Sequence, residues 1–166
     1  MEIFMDAITG NELCTDVTEP YSALVEFYNA FNRSDMALMQ HNWSHGDDIV
    51  MSNPLGGVKR GWDEISTVYD RIFNGPASVY VEFYDFNIVQ SDEMFCAMGR
   101  ERGRFQMGDV SLDLAIRTSR LYRHDGERWR QLHHHGSIEQ ADLLTRYQAA
   151  VNNGSDSFVK DKKFTG

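Results

Sequence analysis

The chain has 166 residues, with 16 Lys and Arg against 25 Asp and Glu, so its formal charge is −9 with the six His counted neutral. That length fits one domain able to bury a core without covalent staples, and 42% hydrophobic with 12% aromatic residues exclude global disorder. The acidic balance argues against a nucleic-acid partner, because neutralising phosphates needs a basic face. Cys14 and Cys96 are too few and too far apart for a disulfide framework or a zinc knuckle, so reduced thiols and a cytoplasmic location are expected. Met1 to Gly10 carries Glu2 and Asp6 without a basic leader region, and no run approaches the roughly 18 apolar residues of a membrane span. Neither a secretory signal nor a membrane partner is expected.

Residues 1–17 show little pattern and read as an N-terminal extension. Pro20 suits a first helical turn, and Leu24, Phe27, Tyr28 and Phe31 follow on one helix face. Ser34 is placed to cap a second short helix whose Met36, Met39 and Trp43 share a face. Ile49-Val50-Met51 reads as a short strand, and Asn53-Pro54-Leu55-Gly56-Gly57 as a loop. A third helix begins after Gly61, with Trp62, Ile65, Tyr69, Ile72 and Phe73 on one stripe, and Asn74-Gly75-Pro76 stops it.

From there the hydrophobic period changes from 3.6 to 2. Segments 78–89, 94–106, 110–124 and 128–137 read as four long strands joined by tight turns, an antiparallel meander. A last helix is predicted over 139–151, capped by Ser137 and ended by Asn152-Asn153-Gly154. The fold class is therefore α+β. It has a curved antiparallel sheet of four long strands and a short one, three helices on its concave face and a C-terminal helix. The domain spans 18–153, and residues 154–166 form a polar C-terminal tail. The open end of such a sheet is the default ligand cavity.

Strand alternation selects the candidate site residues. In 110–124, Leu112, Leu114, Ile116, Thr118, Arg120 and Tyr122 share the more apolar face, which places Arg120 toward the core. In 94–106, Met94, Cys96, Met98, Arg100 and Arg102 share a face, and a cation on an apolar face needs a partner or a ligand. Arg100 and Arg120 are thus expected to line the pocket and to favour an anionic small molecule. Arg100-Glu101-Arg102 also fits a cross-strand ion-pair ladder. In 128–137, alternation sends His133 and His135 one way and His134 the other, so the three cannot converge on one metal. No further ligand spacing completes a metal site, and none is expected. His134 is the candidate acid or base. His133 and His135 form an alternative polar pair, or they bond neighbouring strands and pack. Trp62 and Asn53 border the Gly-rich loop and either line the mouth or serve the core and a turn. Gly56-Gly57 lacks the Gly-Lys-Ser/Thr of a phosphate loop.

Three stretches carry a family resemblance over about residues 20–150: LVEFYNAFNRSD, GGVKRGWDEISTVYDRIF and TSRLYRHDGERWRQLHHHGS. The last resembles a recurring W-x-x-x-H-x-H-x-S strand, here Trp129, His133, His135 and Ser137. The chain resembles the SnoaL-like branch of the nuclear transport factor 2-like superfamily. It is also similar to the association domain of calcium/calmodulin-dependent protein kinase II. The resemblance implies a cone-shaped, cystatin-like α+β barrel and a homodimer formed through the sheet. It implies a small-molecule pocket lined by arginines of the central strands, a role that falls on Arg120 and Arg100. The arginine that follows the second His in those association domains is Gly136 here. Members include ketosteroid isomerase, polyketide cyclases, dehydratases and non-catalytic hub domains. The resemblance thus implies either a cofactor-independent isomerase, cyclase or dehydratase, or a ligand-binding or oligomerisation module without chemistry. No metal or organic cofactor is implied. The strand Asp that serves ketosteroid isomerase as base has no counterpart in this sequence.

Overall fold

The computed structural model describes residues 6–162, with side chains as far as Asn153. Residues 1–5 of the expected extension and 163–166 of the expected tail lie outside the described residues. In chain order the elements are α1 (Pro20–Asn32), α2 (Met36–Asn42), β1 (Val50–Ser52), β2 (Val58–Arg60), α3 (Gly61–Phe73), β3 (Ser78–Gln90), β4 (Met94–Met107), β5 (Val110–His124), β6 (Trp129–Ile138) and α4 (Ala141–Lys162). The strands form one sheet in the order β2-β1-β6-β5-β4-β3. The four long strands are the antiparallel meander that the period-2 pattern predicts.

Three details differ from the sequence reading. A second short strand, β2, pairs antiparallel with β1, and β1 runs parallel to β6, so the sheet is mixed at that edge. A three-residue edge strand is too short to show a period, which is why β2 reads as loop. Asp35, not Ser34, caps α2, its carboxylate accepting the Leu38 N–H at 3.0 Å, while Ser34 takes a positive φ of 54°. Ser137 lies in β6 rather than capping the last helix, and α4 continues through Gly154 to Lys162.

The helices cover the concave face. Leu24, Phe27 and Tyr28 of α1, Met39 of α2 and Ile65 and Tyr69 of α3 are buried against Val81, Phe83, Phe95, Phe105 and Leu114 of the sheet. Two bulges set which side chains face that core. In β3 the register slips between Tyr84 and Asn87, which lets both Phe83 and Phe86 point inward and stack 4.7 Å apart. In β6 the register slips so that Tyr122 pairs Gln131 while Leu121 pairs His133. Leu132 is the extra residue. Trp129 and Gln131 face inward before it, and His134, Gly136 and Ile138 after it.

The N-terminal segment is knit into the domain. Ile8 exchanges both backbone hydrogen bonds with Phe83 (2.8 and 2.9 Å). Asn29 and Asn32 of α1 donate to the Gly10 and Thr9 carbonyls at 2.8 and 2.9 Å, and the Trp129 indole donates to the Thr18 carbonyl at 2.8 Å.

Gly103 marks the tightest crossing in the sheet. A Cβ there would strike the backbone of Tyr80 and Val81 on β3, so the strands can approach only because position 103 carries no side chain. Gly103→Ala is expected to cost about 1–3 kcal/mol, read as a lower urea midpoint at unchanged m-value. An unchanged midpoint would show that the close approach is not needed.

Candidate functional site

Between the sheet and the helices lies a cavity of about 910 Å³. Its walls are mostly apolar, with Phe27, Phe31, Val79, Phe105, Leu114 and Ile116 among them, and its polar side chains include Asn53, Glu101, Arg120 and His134. The C-terminal helix closes one side: Tyr147 packs edge-on to Phe105 at 5.0 Å, and the Gln148 amide donates to the Leu55 carbonyl at 3.0 Å.

Arg120 is the centre of the polar end. It is 2% exposed, and such burial requires partners for its charge and its donors. Nη2 donates to Glu101 Oε1 at 2.8 Å, Nη1 to Gln131 Oε1 at 2.9 Å and Nε to the Tyr28 hydroxyl at 3.3 Å. The Tyr28 hydroxyl in turn donates to the same Glu101 oxygen at 2.7 Å. The guanidinium carbon sits over the Phe27 ring, 3.5 Å from its centroid. Burial alone would loosen its proton, but Tyr28 and Glu101 hold it charged. Gln131 extends the network to Asn42 at 3.2 Å, which also accepts from the Tyr122 hydroxyl at 2.8 Å.

His134 stands beside Arg120. The two are cross-strand partners on β6 and β5, and Met51 of β1 flanks His134 on its other side. The imidazole is buried and its Nδ1 has no hydrogen-bond partner. Burial first, then the Arg120 charge, push its pKa well below the usual imidazole value, with His133 and His135 adding to the push. The Ser119 backbone offers a partial counterweight without hydrogen-bond geometry. His134 is therefore neutral at pH 7, and Nδ1 carries either a lone pair or an N–H according to its tautomer. Tyr147 is pushed up to about 12, by burial and then by the Glu101 charge.

The other sequence-derived candidates fall in different places. Asn53 lines the cavity, and its side-chain oxygen also accepts the Leu55 N–H at 2.8 Å. Trp62 is half-buried outside the lining, packed between His45 and Tyr69. His133 and His135 point to the other face of β6, where His133 Nδ1 meets the Val50 carbonyl at 2.6 Å and His135 is exposed. Arg100 does not reach the cavity. The inward face of β4 carries Phe95, Ala97, Glu101 and Phe105, so Met98, Arg100, Arg102 and Arg104 face outward. Arg100 lies half-exposed beside Asp85 and Glu139 at 3.5 and 3.4 Å, and Cys96 shares its outer face. Arg102 pairs with Glu82 across the strands at 2.6 Å, as an ion-pair ladder requires. Among the described residues no cluster of three or more His, Cys, Asp or Glu can hold a metal ion.

The residue that sequence reasoning missed is Glu101. Its signal was parity: three arginines and a glutamine at even positions of β4 face solvent together, which leaves Glu101 among the apolar odd positions.

The buried His134 predicts a pH dependence. The folded protein resists the proton that the unfolded chain takes up near pH 6.5, so the unfolded state binds more protons below that pH and stability falls as pH drops. The slope for one such site reaches about 1.4 kcal/mol per pH unit. His134→Gln is expected to lose less stability than the wild type between pH 7 and pH 5 in urea titrations; parallel losses would mean that His134 titrates normally.

The SnoaL-like domain profile matches residues 21–140, most of the chain. No curated protein matches it in sequence. Solved structures share the fold. One is a calcium/calmodulin-dependent protein kinase type II association domain, so assigned, from Thiobacillus denitrificans: TM-score 0.64, 20% identity, covering 74% of this chain and 97% of that one. A second, from Streptomyces avermitilis, is assigned as a dehydratase of the nuclear transport factor 2-like family, with TM-score 0.66 and 16% identity over 73% of this chain and 94% of that one. A third is a ketosteroid isomerase-like protein from Erwinia carotovora atroseptica, with TM-score 0.61 and 21% identity over 72% of this chain and 93% of that one. At these identities the likeness is one of fold, and the profile match carries the family: the chain belongs to the SnoaL-like domain family.

Proposed function

We propose that this protein binds a small carbonyl compound in its cavity and acts on it by cofactor-independent acid–base chemistry, as an isomerase, cyclase or dehydratase. The observation that carries the reading is His134: a buried, neutral imidazole lining the cavity with Nδ1 unpartnered, next to a fixed guanidinium. A buried polar atom without a partner costs stability and calls for a functional explanation; Nδ1 itself has no contact with open space, so a ligand reaches it only with a small shift of the ring. A neutral carbonyl compound fits better than a free carboxylate, because Glu101 already neutralises Arg120 and the walls are apolar. The names of two neighbours, a dehydratase and a ketosteroid isomerase-like protein, agree with this chemistry.

A second reading is a non-catalytic ligand-binding or hub-like module. It is favoured by the satisfaction of all three Arg120 nitrogens within the protein, which makes that side chain a structural strut. A copy-to-copy contact through the outer face of the sheet fits either reading, since Tyr80 and Met98 stand 42% and 39% exposed there. The two free thiols fit a reducing compartment such as the cytoplasm.

A thermal-shift screen of neutral ketones, small carboxylates and steroids separates the readings. A hit that stabilises the wild type, loses at least about tenfold in affinity or turnover in His134→Gln, and is converted to product supports the enzyme. Binding without conversion supports the module, and binding indifferent to His134→Gln removes His134 from the site. Sedimentation of the wild type is expected to show a dimer that Met98→Lys dissociates; a wild-type monomer would refute the sheet contact.

A further inference from the structure

A second cavity, of about 380 Å³, shares no lining residue with the one described above. It lies on the outer face of the sheet, where Arg123 of β5 and Arg130 of β6 stand as cross-strand partners. Like charges directly opposite each other on neighbouring strands destabilise a sheet, so this pair calls for anions. The chain supplies one carboxylate oxygen to each. Asp48 Oδ2 accepts from Arg123 Nη1 at 2.9 Å, and Asp125 Oδ2 accepts from Arg130 Nε at 2.8 Å. Arg130 Nη1 is taken up by the His41 carbonyl at 2.8 Å. Among the described residues, Nε and Nη2 of Arg123 and Nη2 of Arg130 have no acceptor. None of the three is a buried atom without a partner, so all keep contact with open space.

The loop after α2 and the bulge in β6 build this cavity. The Ser44 N–H bonds the Gln131 carbonyl at 2.9 Å, which starts the loop beside β6. Asp48 then reaches Arg123 on β5, so the loop passes over the outer face of β6, the strand between. Leu132, the extra residue of the bulge, keeps only 7% exposure under that cover and lines the cavity. Gly46 lets the loop fold tightly, since a Cβ there would come within 2.9 Å of Asp48 Oδ1. The Ser44 hydroxyl accepts the Gly46 N–H at 3.3 Å and keeps its own proton to donate.

We propose that this outer cavity binds the phosphate group of a small organic phosphate monoester. Three arginine nitrogens and the Ser44 hydroxyl are donors without an acceptor of their own, the complement of a tetrahedral oxyanion. A bare phosphate fills only part of the 380 Å³, and Leu132 and His45 offer surface to the organic part. Asp48 is a tethered competitor, because its carboxylate sits on Arg123 and a phosphate must share or displace it. Asp125 is held otherwise: its second oxygen accepts the Glu127 and Arg128 N–H groups, both at 2.9 Å. With two carboxylates balancing two arginines, selection comes from hydrogen-bond geometry rather than from net charge. The inference is independent of the acid–base reading above, since the two cavities have no residue in common.

The probe is phenyl phosphate, titrated to about 10 mM into the isotope-labelled full chain at constant ionic strength and followed by amide NMR shifts. Saturable shifts are expected at Ser44 and Gly46, with inorganic phosphate binding at least about threefold more weakly because it buries no ring. Arg123→Gln and Arg130→Gln are each expected to weaken phenyl phosphate binding at least about tenfold. Asp48→Asn keeps every donor and removes the competing charge, so it is expected to tighten binding, and it keeps the proposal testable if an arginine variant does not fold. Shifts that do not saturate, or equal affinity in the wild type and both arginine variants, overturn the site. Equal affinity for inorganic phosphate overturns the ester and leaves a site for free phosphate. Weaker binding in Asp48→Asn overturns the competitor role of Asp48.

Discussion

The buried pair between Arg120 and Glu101 is the constraint around which the rest is arranged. Two charges taken from water cost several kcal/mol each, and their attraction repays this only when geometry and hydrogen bonds are complete. Completion draws on almost every layer. Tyr28 comes from α1, Gln131 from β6, and Phe27 offers the ring face on which the guanidinium lies. Gln131 must then be held, which brings Asn42 of α2 and Tyr122 of β5 into the same network. A hydrophobic core of this size tolerates many packings, but this network fixes one. The helices cannot slide along the sheet without leaving a charge unpaired.

The same pair shapes the electrostatics of the cavity. Placing cation and anion together at the polar end leaves a cavity whose net charge there is small. The neighbouring His134 remains uncharged, because burial and a nearby guanidinium both penalise the imidazolium. An acidic protein thus keeps a nearly neutral interior, and the polar groups of its cavity lie in low dielectric, where each hydrogen bond is strong.

Much of this was legible in the sequence. The change of hydrophobic period at Asn74-Gly75-Pro76 divides helices from sheet, and alternation in 110–124 assigns Arg120 to the core face correctly. Splitting His134 from His133 and His135 also follows from alternation, and the structure agrees. Arg100 was misplaced because a strand pattern determines which residues share a face, whereas which face is inside depends on the balance of the two sets. In β4 the inward set is interrupted by Gly99 and Gly103, whose role is to let β3 approach, so its apolar character looks weak. The bulge at Leu132 has no sequence mark either, since it depends on register against β5. Glu101 is hidden for a related reason. A buried carboxylate is recognised by its partner, and the partner is 19 residues away on the next strand.

The parallel pairing of β1 with β6 has a consequence for how the protein opens. Val50 meets His133 across a separation of 83 residues, whereas β3 to β6 are joined by successive hairpins. Closing a long loop costs more entropy than closing a hairpin, and two three-residue strands return little for it. The β1–β2 edge is therefore the segment with the smallest opening free energy in the sheet, a cooperative unit of its own in amide exchange. That edge carries Asn53 to Gly57 and covers one flank of the cavity. Brief local unfolding there opens that flank of the cavity while the hairpins holding Glu101 and Arg120 stay intact.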